Sequence, residues 1–205
     1  MSNADGLHAV LERSRRLGFL GPGSVRVQED HAAGFAGCVP AAPARLLDLG
    51  SGGGVPGLVL AALWPEAEVV LLDAGERRCD FLREAVDELG WHPRVWVHRA
   101  RAEEAGRDPT LRAAFDLVTA RGFGPPPVTA ECAAPFLGPN GHLVVSEPPD
   151  ERAADRWPEE PLSHLGLTPA GEWRDPFHYR SFRQATPCPE TYPRRTGQPA
   201  KRPLF

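Results

Sequence analysis

Lysine is almost absent from this chain: Lys201 is the single example, and the remaining basic charge is arginine. Basic residues number 23 against 27 acidic ones, a net charge of −4, so no global excess of positive charge marks the chain as a nucleic-acid binder. Any such contact must come from a local patch. Cysteine is sparse, and Cys38, Cys79, Cys132 and Cys188 stand far apart with no C-x-x-C pair. That spacing argues against a zinc site and a disulfide framework and predicts reduced thiols with no bound metal. No apolar run approaches the length of a membrane span, and residues 1–6 lack the basic-then-apolar pattern of a secretory leader. A soluble, cytoplasmic protein is expected. The 205 residues suffice for one α/β domain with short extensions and are too few for two full domains.

Glycine and proline, by contrast, are plentiful, and their most informative grouping is residues 48–57, D-L-G-S-G-G-G-V-P-G. An apolar run at 46–49 precedes it and another at 58–63 follows, so it reads as strand, glycine turn and helix start, with Pro56 suited to the first helical turn. Glycines here permit positive φ and let a ligand approach the main chain. Gly52, Gly54 and Gly57 fit G-x-G-x-x-G, and Asp73 stands at about the spacing of a ribose-binding acid, so a dinucleotide fold has to be weighed. Asp48 shifts the balance, because its carboxylate would repel a pyrophosphate seated at the helix N-terminus. S-adenosylmethionine carries no phosphate, and its ammonium and sulfonium suit that acid. The phosphate-binding P-loop fails, since Leu58 stands where its lysine should follow the glycine.

In chain order, Leu7, Val10, Leu11 and Leu17 recur at helical spacing until Gly18, and residues 25–43 read as a second short helix and a loop. His31, in that segment, reads as structural or solvated. Strands follow at 45–49, 68–72 (ending in Asp73), 95–98, 116–119 and 141–145, with helices at 56–63 and 76–89. Short apolar strands joined by helices imply a mostly parallel sheet covered on both faces, with its ligand at the carboxyl ends of the strands. Pro148-Pro149 break the chain, residues 153–165 are helical at most in part, and 167–186 form a closing antiparallel hairpin. The expected fold is α/β, a Rossmann-like class I S-adenosylmethionine-dependent methyltransferase. Its expected parts are an N-terminal helical extension (1–44), the cofactor-binding domain (45–186) and a basic, proline-rich tail (187–205).

The glycine turn with Asp48, Gly50, Ser51, Gly52 and Gly54 is expected to hold the methionine part of the cofactor, Asp73 the ribose, and Ala102 and Glu103 the adenine side. Arg121 follows strand four and reads either as a cofactor or substrate contact or as the ion-pair partner of Asp48 or Glu147. Pro125-Pro126-Pro127 does not form the Asn-Pro-Pro-aromatic signature of amide-nitrogen methylating enzymes, and Glu147-Pro148-Pro149 follows the wrong strand for it.

Taken together, several motifs resemble the glucose-inhibited division protein B family. They are the turn at 48–57, Asp73, Arg77-Arg78 followed by Phe81-Leu82, Arg101-Ala102-Glu103-Glu104, and D-L-V-T-A-R at 116–121. The tail motifs Tyr192-Pro193-Arg194-Arg195 and P-A-K-R-P-L at 199–204 belong with them. The resemblance implies a bacterial methyltransferase that transfers a methyl group from S-adenosylmethionine to N7 of a guanine in small-subunit ribosomal RNA, leaving S-adenosylhomocysteine. It also implies RNA or small-subunit contacts from Arg121, Arg194, Arg195 and Lys201. N7 has a free lone pair and no proton to lose, so no general base is required and no catalytic acid or base is named. Three departures from the family pattern are visible: a shortened segment before Asp48, Ala120-Arg121-Gly122 for Ser-Arg-Ala, and Glu147-Pro148 for Lys-Gly. The last places an acid beside the expected RNA site, where it would repel phosphate. Two other readings therefore stand beside the first: a diverged small-molecule methyltransferase, and a non-catalytic module binding RNA or a partner protein.

Overall fold

The computed structural model describes residues 3–148 and 156–205. The start of the expected partial helix, at Ala153, lies outside them. Helix α1 (Asn3–Arg16) buries Leu7, Val10 and Leu11 on one face, and its last turn carries Arg13, Arg15 and Arg16, which suit the negative end of the helix dipole. Leu17, expected on that face, stands just past the helix and is 46% exposed, while Ser14 takes the buried position. Helix α2 (Val25–Gly34) starts at Ser24, whose hydroxyl accepts the Val27 N–H and satisfies one of the donors that a helix start leaves open.

The sheet contains β1 (Arg45–Leu49), β2 (Glu68–Asp73), β3 (Val95–Arg99), β4 (Phe115–Ala120), β5 (Leu137–Ser146), β6 (Leu167–Trp173) and β7 (Tyr179–Gln184). Their spatial order is β3-β2-β1-β4-β5-β7-β6. The first five pair in parallel, and β7 runs antiparallel between β5 and β6. The chain proceeds outward from β1 to β3 and then returns to the other side of β1 with β4, so a crevice opens between β1 and β4 at their carboxyl ends. Helices α3 (Gly57–Leu63) and α4 (Glu76–Glu88) connect the first strands, α5 (Ala102–Ala105) and α6 (Pro126–Ala133) the next, and α7 (Glu159–Ser163) precedes the hairpin.

Successive strand residues point to opposite faces, and both faces are covered. Leu46, Val69, Leu71, Leu117 and Val144 join α1 to α4 in one core, while Leu47, Leu49, Val70, Leu72, Val118 and Val145 join α5 to α7 in the other. Helix α3 begins at Gly57, one residue later than expected, with Pro56 at its cap. The largest difference in strand length is β5, which starts at Leu137 rather than near Gly141. Gly138-Pro139-Asn140-Gly141 reads locally as a turn, but its pairing with β4 absorbs the extra residues as a register shift between Phe115 and Leu117.

The segment before β1 is built into the first core rather than standing apart from it. The tail, ending in α8 (Gln198–Lys201), is likewise tied down on the α5–α6 side. Arg112 donates to the carbonyls of Tyr192 (2.8 Å) and Cys188 (2.9 Å), and Glu103 accepts the Gly197 N–H at 2.8 Å.

Candidate active site

The glycine turn after β1 is fixed by backbone bonds from Gly50 and Ser51 N–H to the Leu72 carbonyl, at 2.8 and 3.0 Å. Gly50 has φ +73°, and a Cβ there would stand 2.7 Å from Phe123 Cδ2, so the turn and the loop after β4 can approach this closely only with glycine. From below, Ser14 donates to the Gly53 carbonyl at 2.8 Å, which ties the turn to α1.

Asp48 lies beneath this turn, not in the crevice above it. It is 1% exposed, its Oδ2 accepts the Gly57 N–H at 3.0 Å, and its Oδ1 accepts the Thr119 hydroxyl at 3.0 Å. Gly57 makes room for it, since a Cβ there would meet Asp48 Oδ2 at 2.6 Å. The expectation that this carboxylate faces the cation is thus corrected. It instead consumes the backbone donor at the start of α3 that a pyrophosphate would need, so the phosphate site is closed by a hydrogen bond as well as by charge.

Burial pushes the Asp48 carboxyl up to about 6, against the opposing hydrogen bonds from Thr119, Ser51 and Gly57. The folded chain therefore holds this proton more tightly than the unfolded chain. The stability tied to it is fully present below the unfolded value and is lost as pH rises through 6. Denaturant unfolding between pH 4 and pH 7.5 should show Asp48→Asn lacking a pH-dependent loss on the order of 2 kcal/mol that the native chain suffers. The amide can still accept from Gly57, so identical pH profiles for the two proteins would refute this account.

Above the turn lies a cavity of about 570 Å³ at the carboxyl ends of β1, β2 and β4. Of the residues expected to touch the cofactor, Gly50, Gly52, Asp73, Ala102, Glu103 and Arg121 line it. Ser51 and Gly54, like Asp48, do not: Ser51 is 1% exposed and its hydroxyl donates to the Asp48 carbonyl at 2.9 Å. Phe19, Leu20 and Gln28 also line the cavity, from the N-terminal segment, as do Arg78, Arg101 and Phe123. No local pattern announces the N-terminal three, which reach the site only because α1 and α2 pack beside α3. Arg78 could have been found, since it lies five residues beyond Asp73 on the helix that follows β2.

Asp73 accepts the Gly52 N–H (2.9 Å), the Gly75 N–H (2.7 Å) and Arg78 through Nε and Nη2, the latter at 2.8 Å. Burial raises its pKa, but these hydrogen bonds and the Arg78 charge outweigh that and hold the carboxyl below its ordinary value. The carboxylate is thus kept ionised inside the cavity, with its acceptor positions shared between backbone and a half-exposed arginine.

Arg121 is paired with neither Asp48 nor Glu147. Its Nη2 donates to Gln28 Oε1, and its buried Nη1 has no hydrogen-bond partner among the described residues. Glu147 instead pairs with Arg156 and accepts Trp157 Nε1–H at 3.1 Å, so the charge that was expected to repel RNA is offset by an arginine. Arg194 is also differently placed than a substrate contact would be. Its backbone N–H and Nε donate to Glu131 Oε1, both at 2.8 Å, and Nη2 reaches Oε2 at 2.5 Å, with the Glu131 side chain fully buried. Arg195 and Lys201 remain exposed on the docked tail. His31 does not line the cavity and packs among the rings of Phe35, Phe177 and Tyr179, where burial, followed by the charge of Arg121, lowers its pKa to about 4. Among the described residues no cluster of His, Cys, Asp and Glu could hold a metal, and no helix is long and apolar enough to cross a membrane.

Known proteins share this fold, and others are similar to this chain in sequence. The cofactor-bound Rv0187 protein of MTB superposes with a TM-score of 0.63 over 88% of this chain and 90% of its own, at 20% identity. The SAH-bound methyltransferase PaMTH1 of Podospora anserina gives 0.60 over 87% of each chain, at 18% identity. These likenesses show a Rossmann-like α/β fold. The ribosomal RNA small subunit methyltransferase G of Prochlorococcus marinus strain MIT 9313 is 38% identical over 169 residues, covering 79% of this chain and 68% of that protein. Its namesake from Rubrobacter xylanophilus is 34% identical over 214 residues, covering 97% of this chain and 80% of that protein. The family model described as GidB, rRNA small subunit methyltransferase G, matches residues 32–152, from α2 through the cavity-lining loops to the end of β5 and just beyond. By motif, cavity and kinship, the chain belongs to the GidB family of S-adenosylmethionine-dependent methyltransferases.

Proposed function

We propose that this protein transfers a methyl group from S-adenosylmethionine to N7 of a guanine in small-subunit ribosomal RNA, in the cytoplasm. The observation that carries the cofactor assignment is an ionised Asp73 in a cavity floored by bare glycine backbone, with the helix-start donor already taken by Asp48. S-adenosylmethionine, when bound, supplies a methyl group on a positively charged sulfur. Asp73 accepts the ribose hydroxyls, the backbone at Ala102 and Glu103 borders the adenine, and Gly50 and Gly52 receive the methionine part. Asp48, Ser51 and Gly54 act one layer below, by shaping the turn. Arg78, on a long and half-exposed side chain, yields Asp73 to the ribose.

Residues 45–186 form the methyltransferase domain in this reading. Residues 1–44 supply one wall of its cavity, and 187–205 brace it from the α5–α6 side. Because guanine N7 carries a lone pair, the chain needs no base and acts by holding acceptor and donor close and in line. Arg101, Arg195 and Lys201, all exposed, form the local basic patch that the overall charge of −4 demands, and contact RNA phosphates. The ion pair of Glu147 with Arg156 offsets one of the features that favoured a small-molecule acceptor.

The test is methyl transfer to small ribosomal subunits and to naked small-subunit RNA from cells lacking the gene, with the modified base mapped. One N7-methylguanine per subunit, dependent on added protein, is the expected outcome. Transfer to small molecules alone would overturn the RNA assignment.

A further inference from the structure

A second cavity, of about 330 Å³, adjoins the first and shares Arg121, Gly122 and Phe123 with it. Its other walls come from the ends of β4 and β5, the start of α6, and Arg156-Trp157. Aromatic groups stand at both sides: Phe123 at the shared wall, against Gly50, and Trp157 at the far wall, with its indole 4.7 Å from the ring of Phe182. The far wall also holds the Glu147 carboxylate, whose side chain is 3% exposed. Among the described residues Oε1 accepts from Trp157 Nε1–H and Oε2 from Arg156 Nη1, which leaves each oxygen a further acceptor position. At the shared wall, Arg121 Nη1 is a buried donor with no partner among the described residues.

We infer that this second cavity is the acceptor-base site and that Glu147 selects guanine within it, an inference that rests on the RNA reading above. The argument is one of complementary edges. If N7 faces the cofactor cavity, the N1–H and N2–H groups of guanine face the opposite wall, where the Glu147 carboxylate stands. A carboxylate only accepts hydrogen bonds, and guanine is the RNA base that offers two adjacent donors there. Adenine presents an acceptor at N1 and so meets the carboxylate with a repulsive contact. O6, between N7 and N1, takes the free Nη1–H of Arg121. Arg156 and Trp157 orient the carboxylate. Glu147 is then a specificity-determining residue.

The experiment measures equilibrium binding of guanosine, inosine and adenosine monophosphates to the protein saturated with S-adenosylhomocysteine. Inosine lacks only the N2 amine. The native protein should bind the guanosine nucleotide about tenfold more tightly than the inosine one, with the adenosine one weakest, because one charge-assisted hydrogen bond is lost at each step. In Glu147→Gln the guanosine-to-inosine ratio should fall to about one, because the amide sets a donor NH2 in place of one of the two accepting oxygens. Affinity for S-adenosylhomocysteine should stay at the native value, which reports an intact fold. The native comparison needs no variant. Equal affinities in the native protein, no binding of the guanosine nucleotide, or a native ratio retained in Glu147→Gln would overturn the assignment. Failure to bind S-adenosylhomocysteine at all would instead strike the proposed function, and this inference with it.

Discussion

Replacing Asp73 by alanine should weaken S-adenosylhomocysteine binding by at least about a hundredfold, since hydrogen bonds to a charged group contribute roughly 1.5–3 kcal/mol each and the ribose presents two hydroxyls. The carboxylate is nearly buried, is held in the ionised form, and sits where β2 delivers it to the cavity. Its loss would also strand the Gly52 and Gly75 N–H groups, so lowered affinity could reflect a loosened turn. Arg78 separates the two causes. Its guanidinium donates to the acceptor positions that ribose hydroxyls would use. Arg78→Met should therefore leave affinity unchanged or raise it, while leaving the backbone bonds to Asp73 in place. Isothermal titration of both variants is the measurement. Native affinity in Asp73→Ala would remove the ribose assignment, and a large loss in Arg78→Met would make the arginine a cofactor contact rather than a competitor.

The second large effect concerns the tail. Arg194→Ala should destabilise the protein by about 3–5 kcal/mol, the usual cost of leaving one member of a buried ion pair without its partner. The Glu131 carboxylate is fully buried on α6, and Arg194 supplies its backbone N–H, Nε and Nη2 as donors. With roughly 2–4 °C of melting temperature per kcal/mol for a chain of this size, the shift should exceed about 6 °C. The resemblance alone would have assigned Arg194 to RNA. A thermal melt together with an RNA-binding titration tells these roles apart. Arg195→Ala, at an exposed neighbour, should melt like the native protein and bind RNA more weakly, with a shallower salt dependence. An unchanged melt in Arg194→Ala would return that arginine to the RNA surface. In a chain with Glu131→Leu and Arg194→Met together, most of the stability should return, because no charge is then left buried.

The two arginines show how far sequence can be read. Arg194 and Arg195 are adjacent, carry the same charge and belong to the same motif, and only the position of α6 decides that one is consumed internally and the other is left outside. Glu147 gives the same lesson. As a letter after β5 it is a charge reversal beside RNA, whereas in the fold its partners are Arg156 and Trp157, 9 and 10 residues further along the chain. Asp48 was recognised as important from its place before the glycines, but whether a strand-end carboxylate points up into the crevice or down under the turn depends on Gly57 and Thr119. Those come from a helix and a neighbouring strand.

What the sequence determined by itself was whatever is periodic or local. The alternation of short apolar strands with helices, the glycine turn that requires left-handed backbone, and the acid closing β2 are legible because sterics and hydrophobic burial act over a few residues. The same locality hides the start of β5, since G-P-N-G is a turn by local preference and a strand only through its pairing with β4. Tertiary structure alone decided which charges face the cavity, which N-terminal side chains wall it, and where the tail lies. Those outcomes rest on pairs such as Ser14 with Gly53, Gln28 with Arg121 and Glu131 with Arg194, joined across 39, 93 and 63 residues of chain. A buried charge accepts whichever partner packing brings within reach, and no short-range pattern records that choice.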